Sequence, residues 1–208
     1  MGKIRENTDR KLLKLSFYIC GRFLKVKRQM KDTVLKYGTL SGALMAILLF
    51  TSIPLAPKMG FNAVGMILFI GKIAVFVPVY FGIRSYRDTI GDGYLTFWKG
   101  FNIGILIVVI ACVFYALSWV ILYYWAAPGF PDKYFQDFIA QLKLHGALPK
   151  DIADAQTQFE ESKKVLTNPF INAAYAFTDP LETGIVMTLI FTFILKKKPP
   201  TVELGNLN

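Results

Sequence analysis

Histidine, cysteine and acidic residues are scarce in this chain of 208 residues. It contains one histidine, His145, and two cysteines, Cys20 and Cys112. Catalytic triads, zinc sites and disulfide frameworks need clusters of such residues, and the sequence shows none. We therefore expect no catalytic, cofactor-binding or metal-binding residues, and a non-enzymatic protein that carries no cofactor.

The acidic residues are outnumbered by the basic ones. There are 14 Asp and Glu against 24 Lys and Arg, which gives a net charge of +10. A strong positive charge is typical of nucleic-acid-binding proteins, but here the basic residues flank long apolar runs. For that reason we expect anionic lipid headgroups, and no nucleic acid, as their partners.

Four continuous apolar runs dominate the chain, of which 54% is hydrophobic. A helix needs about 20 residues to cross the ~30 Å hydrocarbon core of a bilayer, and each run approaches or exceeds that length. The strands of an outer-membrane barrel would alternate apolar and polar residues instead. The runs predict an all-α membrane protein with four transmembrane helices, at 37–57, 61–83, 101–125 and 173–195.

Lys and Arg collect at alternate ends of these runs. Seventeen of them lie on one side and six on the other, while Lys72 lies inside the second run. Because positive residues accumulate on the cytoplasmic side of a membrane, we expect both termini to be cytoplasmic. The loop at 126–170 should then lie outside.

The runs divide the chain into three parts, of which 37–198 is the four-span domain and 199–208 a cytoplasmic tail. In residues 1–36 apolar side chains recur at intervals of three and four, so this basic segment is predicted to be an amphipathic helix. Such a helix lies on the cytoplasmic membrane surface or packs on a partner. A translation start at Met30 is a third possibility, because it would remove most of the segment. The apolar stripe comprises Leu12, Leu15, Ile19, Phe23, Val26, Met30 and Val34.

The outer loop at 126–170 is predicted to contain two helices. The first ends near Gly146, a residue suited to a helix C-terminus. The second begins near Pro149, a favoured first-turn residue, and Asn168 and Pro169 end it. We expect the two helices to form an antiparallel hairpin that covers the outer end of the bundle.

Small residues within the runs are typical of helices that approach each other closely in a membrane. Such residues occur in three of the four runs, where they allow one backbone to pack against a neighbouring side chain. The positions concerned are 41–43, Gly65, Gly71 and Gly104.

Several short segments carry a family resemblance. They are Val34-Leu35-Lys36-Tyr37-Gly38, Phe81-Gly82-Ile83-Arg84-Ser85-Tyr86-Arg87-Asp88, Gly93-Tyr94-Leu95-Thr96-Phe97 with Gly100 and Gly104, Gly146, Asn168-Pro169, and Leu195-Lys196-Lys197-Lys198-Pro199. In this order and spacing the chain from Lys31 onward resembles the domain of unknown function 4199 family of bacterial inner-membrane proteins. The resemblance implies a four-span fold in the bacterial inner membrane, and no established activity comes with it. Residues 1–30 fall outside the resemblance.

Two charged residues lie deep inside the runs. At 1.5 Å per residue, Lys72 is ~15 Å and Glu182 ~20 Å from the cytoplasmic ends of their runs, a difference that a lysine side chain can span. We predict a Lys72–Glu182 ion pair inside the bundle, with Asp179 as a secondary candidate nearer water. The pair either neutralises two polar groups and fixes helix register or belongs to a solute or proton pathway. A third possibility is that both groups are unpaired and exposed to water.

A second charged group, formed by Arg84, Arg87 and Asp88, follows the second run. It is either a site for a lipid phosphate or a partner's carboxylate, or a self-paired cluster that sets the topology. Both interpretations stay open from the sequence alone.

Two functions are consistent with these features. The first is a non-enzymatic multi-pass membrane protein that acts through self-association, as a homo-oligomer, or through envelope partners. The alternative is a small oligomeric transporter or proton-coupled channel that uses Lys72 and Glu182. A membrane-embedded enzyme is disfavoured because the required residue constellation is missing.

Overall fold

The computed structural model describes residues 2–198, with the side chains of residues 21, 24–56 and 58–198. Within this part of the chain the regular secondary structure is entirely helical, which confirms the predicted all-α fold. The helices are α1 Gly2–Met59, α2 Phe61–Val75, α3 Val77–Thr89, α4 Phe97–Ile121, which continues as a π-helical turn over Leu122–Ala126, α5 Phe130–Leu144, α6 Pro149–Leu166 and α7 Pro169–Leu195.

Four helical stretches of the described chain are long and apolar enough to cross a membrane, so the protein is a multi-pass membrane protein, as predicted. We call the end of the bundle at which α3 ends and α4 begins the basic end, and the opposite end the hairpin end. The fourth span begins earlier than predicted because Asn168 caps α7, its side chain accepting a 2.9 Å hydrogen bond from the Phe170 amide. The spans are Leu24–Ala56, Phe61–Thr89, Phe97–Ala126 and Pro169–Leu195.

Helix α1 continues without a break through residue 36, where the sequence analysis placed a domain boundary. The basic segment is helical, as predicted, but it is continuous with the first span. Val34 is buried, so its predicted contact with lipid is wrong, and Met30 is partly buried against the core. The side chains of Leu12, Leu15, Ile19 and Phe23, and the tail at 199–208, lie outside the described residues.

Helix α4 is the centre of the bundle and packs against α1, α3 and α7. Its glycines let these helices approach closely in the half of the bundle near the basic end. A Cβ added at Gly104 would overlap the Thr188 methyl group, and one at Gly100 would lie 2.9 Å from the Thr192 methyl group. The contact between α4 and α7 is therefore tight in this half of the bundle.

The predicted role of the small residues is largely confirmed. A Cβ at Gly42 or Gly71 would lie 2.6 Å from an atom of Phe114 or Leu48, respectively. For Gly65 the prediction is wrong, because nothing lies within 4 Å of an added Cβ. Gly65 is exposed on α2, which indicates that α2 packs less tightly than its neighbours.

The second span is broken at Phe76, where the sequence analysis expected one continuous helix. Pro78 has no amide hydrogen, and its ring clashes with the carbonyl four residues earlier, so α2 ends at Val75. Pro78 then occupies the first turn of α3, where proline is tolerated. Beyond the break α3 enters the bundle between α1, α4 and α7, whereas α2 packs mainly on α1. The bundle is consequently more open towards the hairpin end.

The hairpin of α5 and α6 forms as predicted. Gly146 lies between the two helices with a φ of 74°, a conformation that glycine adopts without strain. The rings of Phe135 and Phe159 stack with their centroids 3.9 Å apart. Lys163 donates a 2.6 Å hydrogen bond to Asp132, and this carboxylate raises the pKa of the exposed Lys163 ammonium.

Two residues join the loop after α3 to the end of α7. The backbones of Leu95 and Lys197 exchange hydrogen bonds of 2.9 and 3.0 Å, in an isolated antiparallel bridge. The bridge fixes the end of the fourth span next to the start of the third.

Candidate functional site at the Lys72–Asp179 ion pair

The structure places Lys72 against Asp179 inside the bundle. The Lys72 ammonium donates hydrogen bonds of 3.0 and 3.1 Å to the two carboxylate oxygens. Lys72 lies ~17 Å from the start of α2 and Asp179 ~15 Å from the start of α7, at 1.5 Å per residue. The side chain of Lys72 is 17% exposed and that of Asp179 is 48% exposed, so Asp179 is the less enclosed of the two partners.

The predicted partner of Lys72 was wrong. Glu182 makes no ion pair with any described residue and is exposed. The prediction rested on depth along the helix, which does not determine the direction in which a side chain points. Asp179 and Glu182 are three residues apart, so their side chains differ by ~60° around the helix axis. Only Asp179 faces Lys72.

The ion pair borders two cavities at the hairpin end of the bundle. The α2 cavity, of about 760 Å³, lies between α1, α2, α4 and the hairpin; Lys72 lines it, and Asp179 is its one lining residue from α7. The α7 cavity, of about 690 Å³, lies between α4, α6 and α7, and Asp179 lines it together with Glu161. Both volumes fall within the ~300–1,000 Å³ typical of small-molecule sites. Asp179 therefore connects two spaces large enough for a solute.

The two cavities share a wall that combines aromatic and polar groups. Tyr115 and Trp119 of α4, Gln158, Ser162 and Leu166 of α6, and Asp179 of α7 line both cavities. Tyr115 is partly buried against the core, and its phenol ring lines both cavities together with the Asp179 carboxylate. Apolar and aromatic walls with a few convergent polar groups are the usual composition of a ligand pocket.

A buried amide holds the hairpin end together. Asn172 is fully buried. Its side-chain oxygen accepts a 2.8 Å hydrogen bond from the Trp119 indole, and its side-chain nitrogen donates a 3.2 Å hydrogen bond to the Leu166 carbonyl. The Tyr124 hydroxyl donates a 2.8 Å hydrogen bond to the same carbonyl. The network joins the ends of α4 and α6 to the start of α7, so it fixes the hairpin over the cavities.

The secondary candidates at the basic end form a separate group. Asp88 accepts a 2.8 Å hydrogen bond from Arg87, and the Arg84 guanidinium lies 3.6 Å from it. The cluster pairs with itself, as one of the two sequence interpretations expected. It lines neither of the two cavities.

Sequence reasoning missed the cavities and most of their lining. Pro78 was the available signal for the α2 cavity, because a proline inside a span predicts a break. Asn172 lies just before the predicted fourth span and was not recognised as buried. Tyr115 and Trp119 could not be distinguished from other aromatic residues in an apolar helix without the packing of α4.

A family assignment follows from comparison with known proteins. The sequence profile of the family described as protein of unknown function (DUF4199) matches residues 36–197. The chain belongs to the DUF4199 family. The match covers the first span from residue 36 onward, the other three spans and the hairpin, and it begins after most of the N-terminal basic segment. No curated protein and no solved structure matches this DUF4199 protein.

Proposed function

We propose that this DUF4199 protein is a non-enzymatic transporter or proton-coupled channel component that binds a small solute in the two cavities at the hairpin end. The observation that carries the proposal is the position of the Lys72–Asp179 pair, which borders a cavity instead of being enclosed by packed side chains. In this proposal Asp179 replaces Glu182 as the partner of Lys72 and as the acidic residue of the pathway.

The energetic cost of the pair supports a functional role. A charged side chain near the centre of a membrane costs ~2.5–3.5 kcal/mol on insertion scales, and such residues often mark ion or solute pathways. Packed side chains would separate a purely structural pair from the cavity, but the Asp179 side chain is 48% exposed. A proton or a polar solute entering from the cavity can therefore reach the carboxylate. Protonation of Asp179 would remove its attraction for Lys72, which would couple proton binding to a rearrangement of α2 and α7.

The packing of the bundle indicates which end of the proposed pathway is open. The half near the basic end is closed by glycine contacts between α4 and α7, whereas the half near the hairpin end contains the cavities. The arrangement corresponds to a state that is open towards the hairpin and closed at the basic end. Four helices enclose little space, so we also propose that the protein forms a homo-oligomer when it conducts.

The orientation and the membrane belong to the same proposal. We place both termini in the cytoplasm and the hairpin outside, because 17 basic residues lie on the side of the termini and six on the other. We place the protein in the bacterial inner membrane, in keeping with the membrane that the family resemblance implies.

The test is a flux measurement in liposomes that contain a pH-sensitive dye. An inward proton gradient is imposed, alone and with added amino acids, organic acids or amines. We expect a proton flux with the wild type and with Glu182→Gln, the matched control, and a loss of flux with Asp179→Asn. The double variant Lys72→Met/Asp179→Asn should recover the stability of the fold without recovering the flux, which separates folding from function.

Two results would contradict the proposal. One is the absence of any flux with the wild type under all of these conditions. In that case, stable oligomers or envelope partners recovered by crosslinking would favour the self-association function. The other is equal flux in the wild type and Asp179→Asn, which would show that the pair takes no part.

A further inference from the structure

A third cavity lies at the basic end of the bundle, away from the Lys72–Asp179 pair. It has a volume of about 430 Å³ and is bounded by α1, α3 and α4. Most of its lining comes from one stripe of α4. The lining residues are Met30, Tyr86, Lys99, Asn102, Ile103, Ile105 and Leu106.

The stripe changes from polar to apolar along α4. Lys99 lies ~3 Å and Leu106 ~14 Å from the first residue of the helix, at 1.5 Å per residue. Lys99 and Asn102 are exposed, and Ile103 and Leu106 continue the same face further into the span. Beside Lys99, Trp98 is 71% exposed, as is typical of a tryptophan at a membrane–water interface. The polar part of the cavity thus lies at headgroup level and its apolar part at acyl-chain level.

Two polar side chains of this cavity, Lys99 and Asn102, have no side-chain partner among the residues whose side chains the structure describes. Neither the Lys99 ammonium nor the Asn102 amide takes part in an ion pair or a side-chain hydrogen bond with the described residues. Two acids lie two residues along the chain from a lining residue. Asp32 follows Met30 and lies ~200° around α1 from it, and Asp88 follows Tyr86 on α3. Asp88 is engaged by the neighbouring arginines. The positive charge of Lys99, which no described side chain neutralises, is therefore available to an anion.

We propose that this cavity binds one anionic phospholipid from the leaflet at the basic end. Lys99 and Asn102 would contact its phosphate, and one acyl chain would lie along Ile103 and Leu106. A free phosphate would satisfy Lys99 but would leave the apolar wall uncovered, so the cavity fits a lipid better than a soluble anion. The inference does not depend on the proposed transport function.

Native mass spectrometry of the detergent-purified full chain tests the proposal. We expect it to retain one phosphatidylglycerol and to retain phosphatidylcholine much less. Lys99→Gln should weaken phosphatidylglycerol binding about fivefold, since one basic residue near anionic lipid contributes roughly 1 kcal/mol. Lys99→Arg should bind as the wild type does, and so should the matched control Lys150→Gln at the hairpin end.

Four results would contradict the proposal. Equal retention of phosphatidylglycerol by the wild type and Lys99→Gln would exclude Lys99 as the phosphate ligand. Equal retention of phosphatidylcholine would exclude selection for an anionic headgroup. Displacement of the lipid by millimolar glycerol 3-phosphate would show that the site recognises a soluble phosphate instead. Leu106→Ala should reduce lipid retention, and an unchanged value would exclude the acyl-chain contact.

Discussion

A double-mutant cycle at Lys72 and Asp179 tests the central geometric feature of the protein. The single changes are Lys72→Met and Asp179→Asn, and the matched control cycle combines Lys72→Met with Glu182→Gln. Because the ammonium contacts Asp179 at 3.0 and 3.1 Å, the first cycle should show coupling in the free energy of unfolding. Because Glu182 makes no ion pair with the described residues, the control cycle should be additive.

The two single variants should differ in magnitude. Asp179→Asn leaves an ammonium that is only 17% exposed without its counter-charge. Loss of one partner from a fully buried pair costs ~3–5 kcal/mol, and we expect about 2–3 kcal/mol here because the cavity admits water. Lys72→Met leaves a carboxylate that is 48% exposed, which water can solvate, so its cost should be about 1 kcal/mol. The double variant removes both charges, so it should be more stable than Asp179→Asn, with a coupling energy of about 1–2 kcal/mol.

Unfolding by sodium dodecyl sulfate in mixed micelles, followed by tryptophan fluorescence, measures these free energies. The coupling in the control cycle should stay below about 0.5 kcal/mol, the usual limit of additivity for residues that do not interact. The reasoning is refuted if the Lys72–Asp179 cycle is additive. It is also refuted if the control cycle shows the larger coupling, since that would restore Glu182 as the partner.

Two further predictions concern packing and topology. Gly104→Ala should destabilise the bundle by about 1–3 kcal/mol, because the new methyl group overlaps the branched Thr188 side chain, whereas Gly65→Ala should be neutral or stabilising. Adding Thr188→Ser removes the opposing methyl group and should restore much of the loss, and a double variant as unstable as Gly104→Ala would contradict this explanation. In a variant without native cysteines, an impermeant maleimide should label Gln156→Cys from outside intact cells and Lys198→Cys only after permeabilisation. Labelling in the reverse order would overturn the proposed orientation.

The elements of the fold were predictable wherever a local signal determined them. The apolar runs were long enough to require helices, because a bilayer offers no water to unpaired backbone groups. Gly146, Pro149 and Asn168 marked the ends of the hairpin helices through their own backbone and capping preferences. Pro78 was an equally local signal for the break at Phe76. We did not predict that break, because the residues around Pro78 form a continuous apolar run.

The candidate site was only partly predictable. Lys72 and the two acids of the fourth span were conspicuous, because charges in apolar runs are costly and few. Depth along each helix restricted the partner of Lys72 to Asp179 or Glu182 but could not choose between them. That choice depends on the rotation of α7 against α2 and α4, which the packing of Gly184 against Val108 and Phe76 helps to fix.

The sequence by itself determined the number of spans, the hairpin between the third and fourth, and the presence of a charge within the second. These properties follow from local apolarity, turn chemistry and the cost of exposing the backbone to lipid. Only the tertiary structure decided that Asp179 binds Lys72, that α2 separates from α4 to leave the α2 cavity, and that Met30 and Val34 face the protein. Each of these depends on which faces of different helices meet, and a pattern along one chain does not contain that information.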